Sequence, residues 1–113
     1  MLDRESLMRE LMECSDVPAV VEGRKDREAL ASLGFEDVVE LNNGGSLLST
    51  VESLQDCGRV SILTDLDQEG KILRKKLLKL FNLYGIAEYK KPREILANMR
   101  VQHVESLRRV QYE

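Results

Sequence analysis

The sequence predicts an α/β fold, a single domain of about four parallel strands flanked by helices. Short β-branched apolar runs, at 19–21 and again at 60–63, alternate with longer stretches whose apolar residues recur at helical spacing. Strands separated by helices cannot pair through hairpins: each return to the sheet needs a crossover of a dozen or more residues, which makes the strands parallel and the crossovers right-handed. The chain has 113 residues, 42% hydrophobic and 33% charged, a balance that permits one packed core and excludes a disordered polymer.

Each element has a local reason. Residues 2–14 carry Leu7, Met8, Leu11 and Met12 on one helical face, and Ser15-Asp16-Val17-Pro18 breaks the pattern. The first strand follows at 19–21. Residues 25–33 form a helix with Ala29, Leu30 and Leu33 on its apolar side, stopped by Gly34 in the position that favours a left-handed terminator. A second strand at 37–41 runs into the tight loop Asn42-Asn43-Gly44-Gly45, and a short helix occupies 46–54. Gly58 turns the chain into the third strand at 60–63. Ile72, Leu73, Leu77, Leu80 and Phe81 then make a strong stripe on a helix over 69–83, closed by Gly85. A weaker fourth strand covers 86–89, and Pro92 opens a last helix expected over 93–110.

Two strands end on acids. The first runs Val20-Val21-Glu22-Gly23 with Asp26 close behind; the third runs Ile62-Leu63-Thr64-Asp65-Leu66-Asp67-Gln68-Glu69-Gly70. Open α/β sheets bind ligands outside the carboxyl ends of their strands, so these acids stand where a site is expected. Asp65 and Asp67, two residues apart, project to one side of an extended segment while Leu66 points away. A hard cation such as Mg²⁺ takes oxygen ligands, one or two of them carboxylates. Asp65 and Asp67 are therefore candidate ligands for Mg²⁺ or Mn²⁺. Glu22 is a candidate general acid/base, because a carboxylate held near others has a raised pKa. The convergence requires strands one and three to be neighbours, which no residue proves.

These residues resemble the Toprim domain, a family shared by topoisomerases, bacterial-type primases, overcoming-lysogenization-defect nucleases and ribosomal RNA maturases. Its marks are a glutamate after an apolar strand, often V-E-G, and a later D-x-D. They stand here as Val21-Glu22-Gly23 and Asp65-Leu66-Asp67. The resemblance covers about 17–89, with a helical segment at 93–110 beyond it, and is nearest the maturase type through 21–30 and the Asn42–Gly45 loop. It implies Glu22 as acid/base, Asp65 and Asp67 as metal ligands, and Glu69 as a third acid of the run, a position where Glu is also simply favoured by a helix dipole. The implied activity is Mg²⁺-dependent phosphodiester chemistry on nucleic acid, as a small nuclease or phosphotransferase. The alternative is a non-catalytic module that docks on nucleic acid or on a protein partner in replication, repair or RNA processing. Receivers and haloacid-dehalogenase-type phosphatases also place acids at strand ends, but Gln68-Glu69 replaces the Gly-Thr that follows the phosphatase motif.

Charge is unevenly distributed. Residues 1–70 hold 6 Lys and Arg against 16 Asp and Glu, whereas 71–113 hold 11 against 4. The helix after the D-x-D carries Lys71, Arg74, Lys75 and Lys79, and Arg24 and Lys25 follow Glu22, so all six are candidate contacts to a phosphate backbone. The Asn42–Gly45 loop is a candidate phosphate cradle or a plain turn. Cys14 and Cys57 lack ligand spacing and are expected as buried free thiols, and His103 as a helix-surface or packing residue. No apolar run approaches the ~20 residues that span a bilayer, and the acidic start lacks a signal-peptide layout, so a cytoplasmic protein without membrane contact is expected.

Overall fold

The computed structural model describes residues 3–108. In chain order they form α1 (Arg4–Glu13), β1 (Ala19–Val21), α2 (Arg24–Ala31), β2 (Val38–Glu40), α3 (Leu47–Ser53), β3 (Arg59–Ile62), α4 (Gln68–Tyr84), β4 (Ala87–Glu88), α5 (Lys91–Asn98) and a 3₁₀ turn (Val104–Ser106). Helix starts are set by side chains that occupy orphan amides: Asp3 Oδ1 accepts from Ser6 N, Ser46 Oγ from Ser49 N and Asp67 Oδ1 from Gly70 N. Gly85, at φ 70°, closes α4 in the left-handed region.

All strand pairs are parallel, in the order β2-β1-β3-β4. β1 is therefore central, with Val20 between Val39 and Ile62, and its three residues are fully buried. The adjacency of the first and third strands brings both acidic ends to one edge of the sheet.

Side-chain alternation along β1 divides the interior. Ala19 and Val21, with Leu63, join a core filled by α1, α2, α5 and the 3₁₀ turn, including Leu11, Leu30, Leu96 and Leu107. Val20, with Val60 and Ile62, joins a second core built by α3 and α4 around Val51, Leu77 and Phe81. The sheet is covered on both faces, and its carboxyl edge is left for polar chemistry.

Two expectations need correction. The helix expected over 93–110 ends at Asn98, and Arg100 turns left-handed at φ 59° while Val101 N returns to Leu96 O at 3.0 Å. Arg100 fills the terminator position usually held by glycine, so no glycine marks the break. Val101, Val104 and Leu107 are spaced as on a helix, yet they reach the first core from an extended stretch and a 3₁₀ turn; residues 109 and 110 of the expected helix lie outside the described residues. Cys14 is buried as expected, but Cys57 is exposed in the turn before β3; both thiols are free.

Candidate metal and acid/base site

β1 ends and Glu22 leaves the sheet beside the end of β3, where Leu63 N donates to Val20 O at 2.8 Å. Glu22 Oε2 accepts a hydrogen bond from Asp65 N at 2.8 Å, so this carboxylate spans the two strand ends. Burial pushes the Glu22 carboxyl above its ordinary range; the Asp65 amide opposes the shift, and the charges of Asp65, Asp67 and Glu69 add to it. The shift has the expected direction, but burial, rather than the neighbouring carboxylates, is its first cause.

The turn from Thr64 to Gly70 is held from within. Thr64 Oγ1 donates to Gly70 O at 2.7 Å, and Asp67 caps α4 through Gly70 N at 2.8 Å. Gly70 is required by close approach: a Cβ there would overlap the carbonyl of Asp65. The glycine that trails the D-x-D thus lets the first turn of α4 press onto the backbone of the first aspartate.

Residues 91–103 close the site. Arg93 Nη1 donates to Ile62 O at 3.0 Å and Thr64 O at 2.7 Å, and its Nη2 donates to Asp65 O at 3.0 Å. One guanidinium thereby satisfies the carbonyls left over where β3 runs out of sheet partners. Leu66 N donates to Gln102 O at 2.7 Å, and Asp65 Oδ1 accepts from Val104 N at 3.0 Å. These bonds bring His103 Nδ1 to 3.4 Å from Asp65 Oδ2 and 3.9 Å from Asp67 Oδ2.

Asp65, Asp67 and His103 each offer one ligand atom within 4.8 Å of the others. Opposite ligands of an octahedral Mg²⁺ lie about 4.2 Å apart, so the spread suits one small divalent ion after slight side-chain rotation. The carboxylates favour Mg²⁺ or Mn²⁺, and the imidazole extends the range toward later metals. The donor set fits a divalent cation.

The structure sorts the candidate residues by place. Glu22, Asp65 and Asp67 converge. Glu69 is exposed in the first turn of α4, outside the three-residue donor cluster, and acts on Glu22 through charge alone. Lys71 and Lys75 border a cleft of about 460 Å³ that also contains Asp67 and Gln102. Arg74 is committed to Glu88 through two bonds of 2.7 Å. Lys79 is exposed twelve residues past the Asp67 cap, roughly 18 Å along the helix axis. Arg24 and Lys25 are exposed at the start of α2, and Lys25 shares a cleft with His103. The Asn42–Gly45 loop spends Gly45 N on Asn43 Oδ1, and Ser46 and Ser49 cap each other at the start of α3.

Three site residues escaped sequence reasoning in role. His103, expected on a helix surface or in packing, has extended backbone and stands against both aspartates. Thirty-eight residues separate it from Asp65, so no local spacing could announce it. Arg93 read as one more cation of the basic half. Asp26 belonged to the first motif, but its burial did not show: its carboxylate accepts Gly23 N at 3.1 Å, and burial, then the charge of Asp65, raises its pKa to about 6.

With this geometry in view, comparison with known proteins is specific. The Toprim domain family model matches residues 17–104, extending past the expected limit at 89 to take in Arg93 and His103. A UPF0292 protein of Methanosarcina barkeri is 36% identical over 109 residues, 91% of this chain and 76% of that protein. The DNA primase DnaG of Staphylothermus marinus is 31% identical over 81 residues, 72% of this chain but 19% of the primase. Among solved structures, a putative protein from Aquifex aeolicus superposes with a TM-score of 0.81 at 25% identity, covering 94% of this chain and 99% of that one.

Proposed function

The chain belongs to the Toprim domain family, and from that premise we propose that it carries out Mg²⁺- or Mn²⁺-dependent phosphodiester chemistry on nucleic acid, as a small nuclease or phosphotransferase. The observation that carries this reading is the convergence of one raised, half-buried glutamate with a two-aspartate, one-histidine donor set at the carboxyl edge of β1 and β3.

Asp65, Asp67 and His103 would hold the ion, with Glu69 close enough in charge to add to the negative field. Bound there, a divalent cation neutralises phosphate charge and polarises the phosphoryl oxygen. Glu22 serves as the general acid/base: its raised pKa brings proton uptake and release closer to neutral pH, and the Asp65 amide fixes its orientation. In hydrolysis, water oxygen joins phosphorus, the phosphorus–oxygen ester bond breaks, and a proton passes from the water to the departing oxygen. Arg93 and Gly70 keep the Asp65 peptide in place. Lys71 and Lys75 are the cations best placed to meet backbone phosphates, with Arg24 and Lys25 on the Glu22 side. We assign the reaction to the cytoplasm, in keeping with two free thiols and no helix among the described residues long and apolar enough to cross a membrane.

A second reading is favoured by one observation: Glu22 already spends an oxygen on the Asp65 amide, as a purely structural residue would. The chain is then a binding module whose acids serve a larger nucleic-acid-processing assembly through a protein partner. Turnover separates the two. Protein given Mg²⁺ or Mn²⁺ with structured RNA, single-stranded DNA and duplex DNA should cut at least one substrate. Glu22→Gln should bind that substrate as wild type does and turn over about 10²-fold more slowly or worse. Cleavage that persists in Glu22→Gln and in the Asp65→Asn, Asp67→Asn double variant would overturn the enzymatic reading.

A further inference from the structure

Beside the metal site the surface is hollowed on one side. The cleft that contains Asp67 and Gln102 shares Leu66, Lys71 and Lys75 with a second cleft, about 350 Å³, between α4 and α5. The two form one trough that runs from Asp67 toward Lys90.

Its chemistry is one-sided. Lys71, Lys75 and Lys90 line it without an ion pair among the described residues, while Arg74 is neutralised by Glu88 and Arg93 is turned onto the end of β3. Its other acids are Glu94 and, at the metal-site end, Asp67. Between α4 and α5 its apolar lining is Leu66 and Ala97. Unpaired lysines beside a small apolar lining suit a phosphate backbone with a sugar or base laid against carbon. At about 350 Å³ the inner cleft is on the scale of a nucleotide or two, so a single strand can enter it, whereas a duplex, broader than the cleft, can lie only across its mouth. The cleft beyond His103 differs: it contains Glu105, and its Arg108 is held by Glu28 at 3.5 Å, leaving Lys25 as its unpaired cation among the described residues.

We infer that the substrate is single-stranded nucleic acid, and that its backbone lies in the α4–α5 trough on Lys71, Lys75 and Lys90, leading to Asp67. This rests on the phosphodiester reading above, and it adds the strandedness of the substrate and the side from which it approaches. Lys90 comes from the segment between β4 and α5, not from the basic helix, so it separates a trough from a merely cationic α4. Lys79 lies on α4 away from Asp67 and is the matched control.

Binding in chelator, at about 50 mM salt, measures the inference without turnover. The probes are labelled single strands of about 16 nucleotides in RNA and DNA forms, and duplexes of the same sequence. Each phosphate contact contributes a salt slope of about 0.7 with a single strand, so Lys75→Glu and Lys90→Glu should each weaken single-strand binding roughly tenfold and flatten the salt dependence by that amount. Lys79→Glu should change affinity less than about twofold. RNA and DNA arms show whether the 2′-hydroxyl adds to the shared backbone. A Lys90→Glu effect no larger than that of Lys79→Glu overturns the trough, as does a duplex binding as tightly as the single strand, or no binding by wild type. Trough-patterned binding without cleavage would remove the enzymatic reading alone; cleavage indifferent to Lys75 and Lys90 would remove the trough alone.

Discussion

Glu22 and Asp65 stand at the ends of buried parallel strands, whereas His103 and Arg93 reach the same crevice from a stretch broken by a left-handed residue and held by a 3₁₀ turn. The strands supply negative charge at fixed positions. The later stretch supplies aim: Arg93 pins the Asp65 peptide, Val104 N orients its carboxylate, and His103 completes the donor set. Charge and aim are separate tasks, with separate sequence requirements, and they should fail differently when altered.

The largest loss should come on the strand side, from Gly70→Ala. An added methyl has backbone as its neighbour and cannot be accommodated by a side-chain rotation, so about 3 kcal/mol of stability should go, together with divalent-ion binding. Thermal unfolding and Mn²⁺ titration check both. Unchanged unfolding would mean that α4 can shift away from Asp65 at little cost, and the strand end is less rigid than drawn.

Arg93→Lys tests the opposing stretch. Lysine keeps the charge and loses the planar fork that serves three carbonyls at once, so about 2 kcal/mol should be lost to under-satisfied backbone. His103→Ala should leave stability in chelator as it was, because the side chain is half exposed, while Mn²⁺ affinity measured calorimetrically drops roughly tenfold. A stability loss with unaltered Mn²⁺ affinity would turn His103 into a packing residue and erase the division of labour.

The smallest effect belongs to Asp26. Its folded-state pKa, about 6, lies above the ordinary 3.8, so the fold favours the protonated form. Its ionisation is penalised progressively as pH rises from about 4 to about 6, and stability falls over that interval. Asp26→Asn retains an oxygen for Gly23 N and never ionises. It should therefore match wild type near pH 4 and exceed it above pH 6 by about 1 kcal/mol, after discounting for solvent screening. Denaturant midpoints at the two pH values decide it; equal midpoints would leave Asp26 ionised at no cost.

What could be read from residue order follows the same division. Alternating β-branched runs and apolar helical stripes disclosed the α/β class, and Val21-Glu22-Gly23 with Asp65-Leu66-Asp67 disclosed the acids, because a strand end and its functional residue are contiguous in the chain. The placing of Lys71 and Lys75 beside Asp67 could be read for the same reason, one turn and two turns past a motif. Arg74 looked identical to them, and only the fold shows Glu88 beside it. His103 and Arg93 were unreadable in role because each acts across about 30 to 40 residues, and Arg100 ended a helix without the glycine that usually announces it. Local periodicity reports which face is apolar; it is silent on which distant backbone atom a guanidinium will hold.

Val104 N donates to an aspartate 39 residues earlier in the chain. A ribosome making this protein joins β1, β2, β3 and both motifs into the chain before it reaches that amide. Until residue 93 is added, the chain holds both acidic motifs but neither the guanidinium nor the imidazole that arranges Asp65. The arrangement of Asp65 therefore comes late in the protein's own synthesis, after both acidic motifs are already part of the chain.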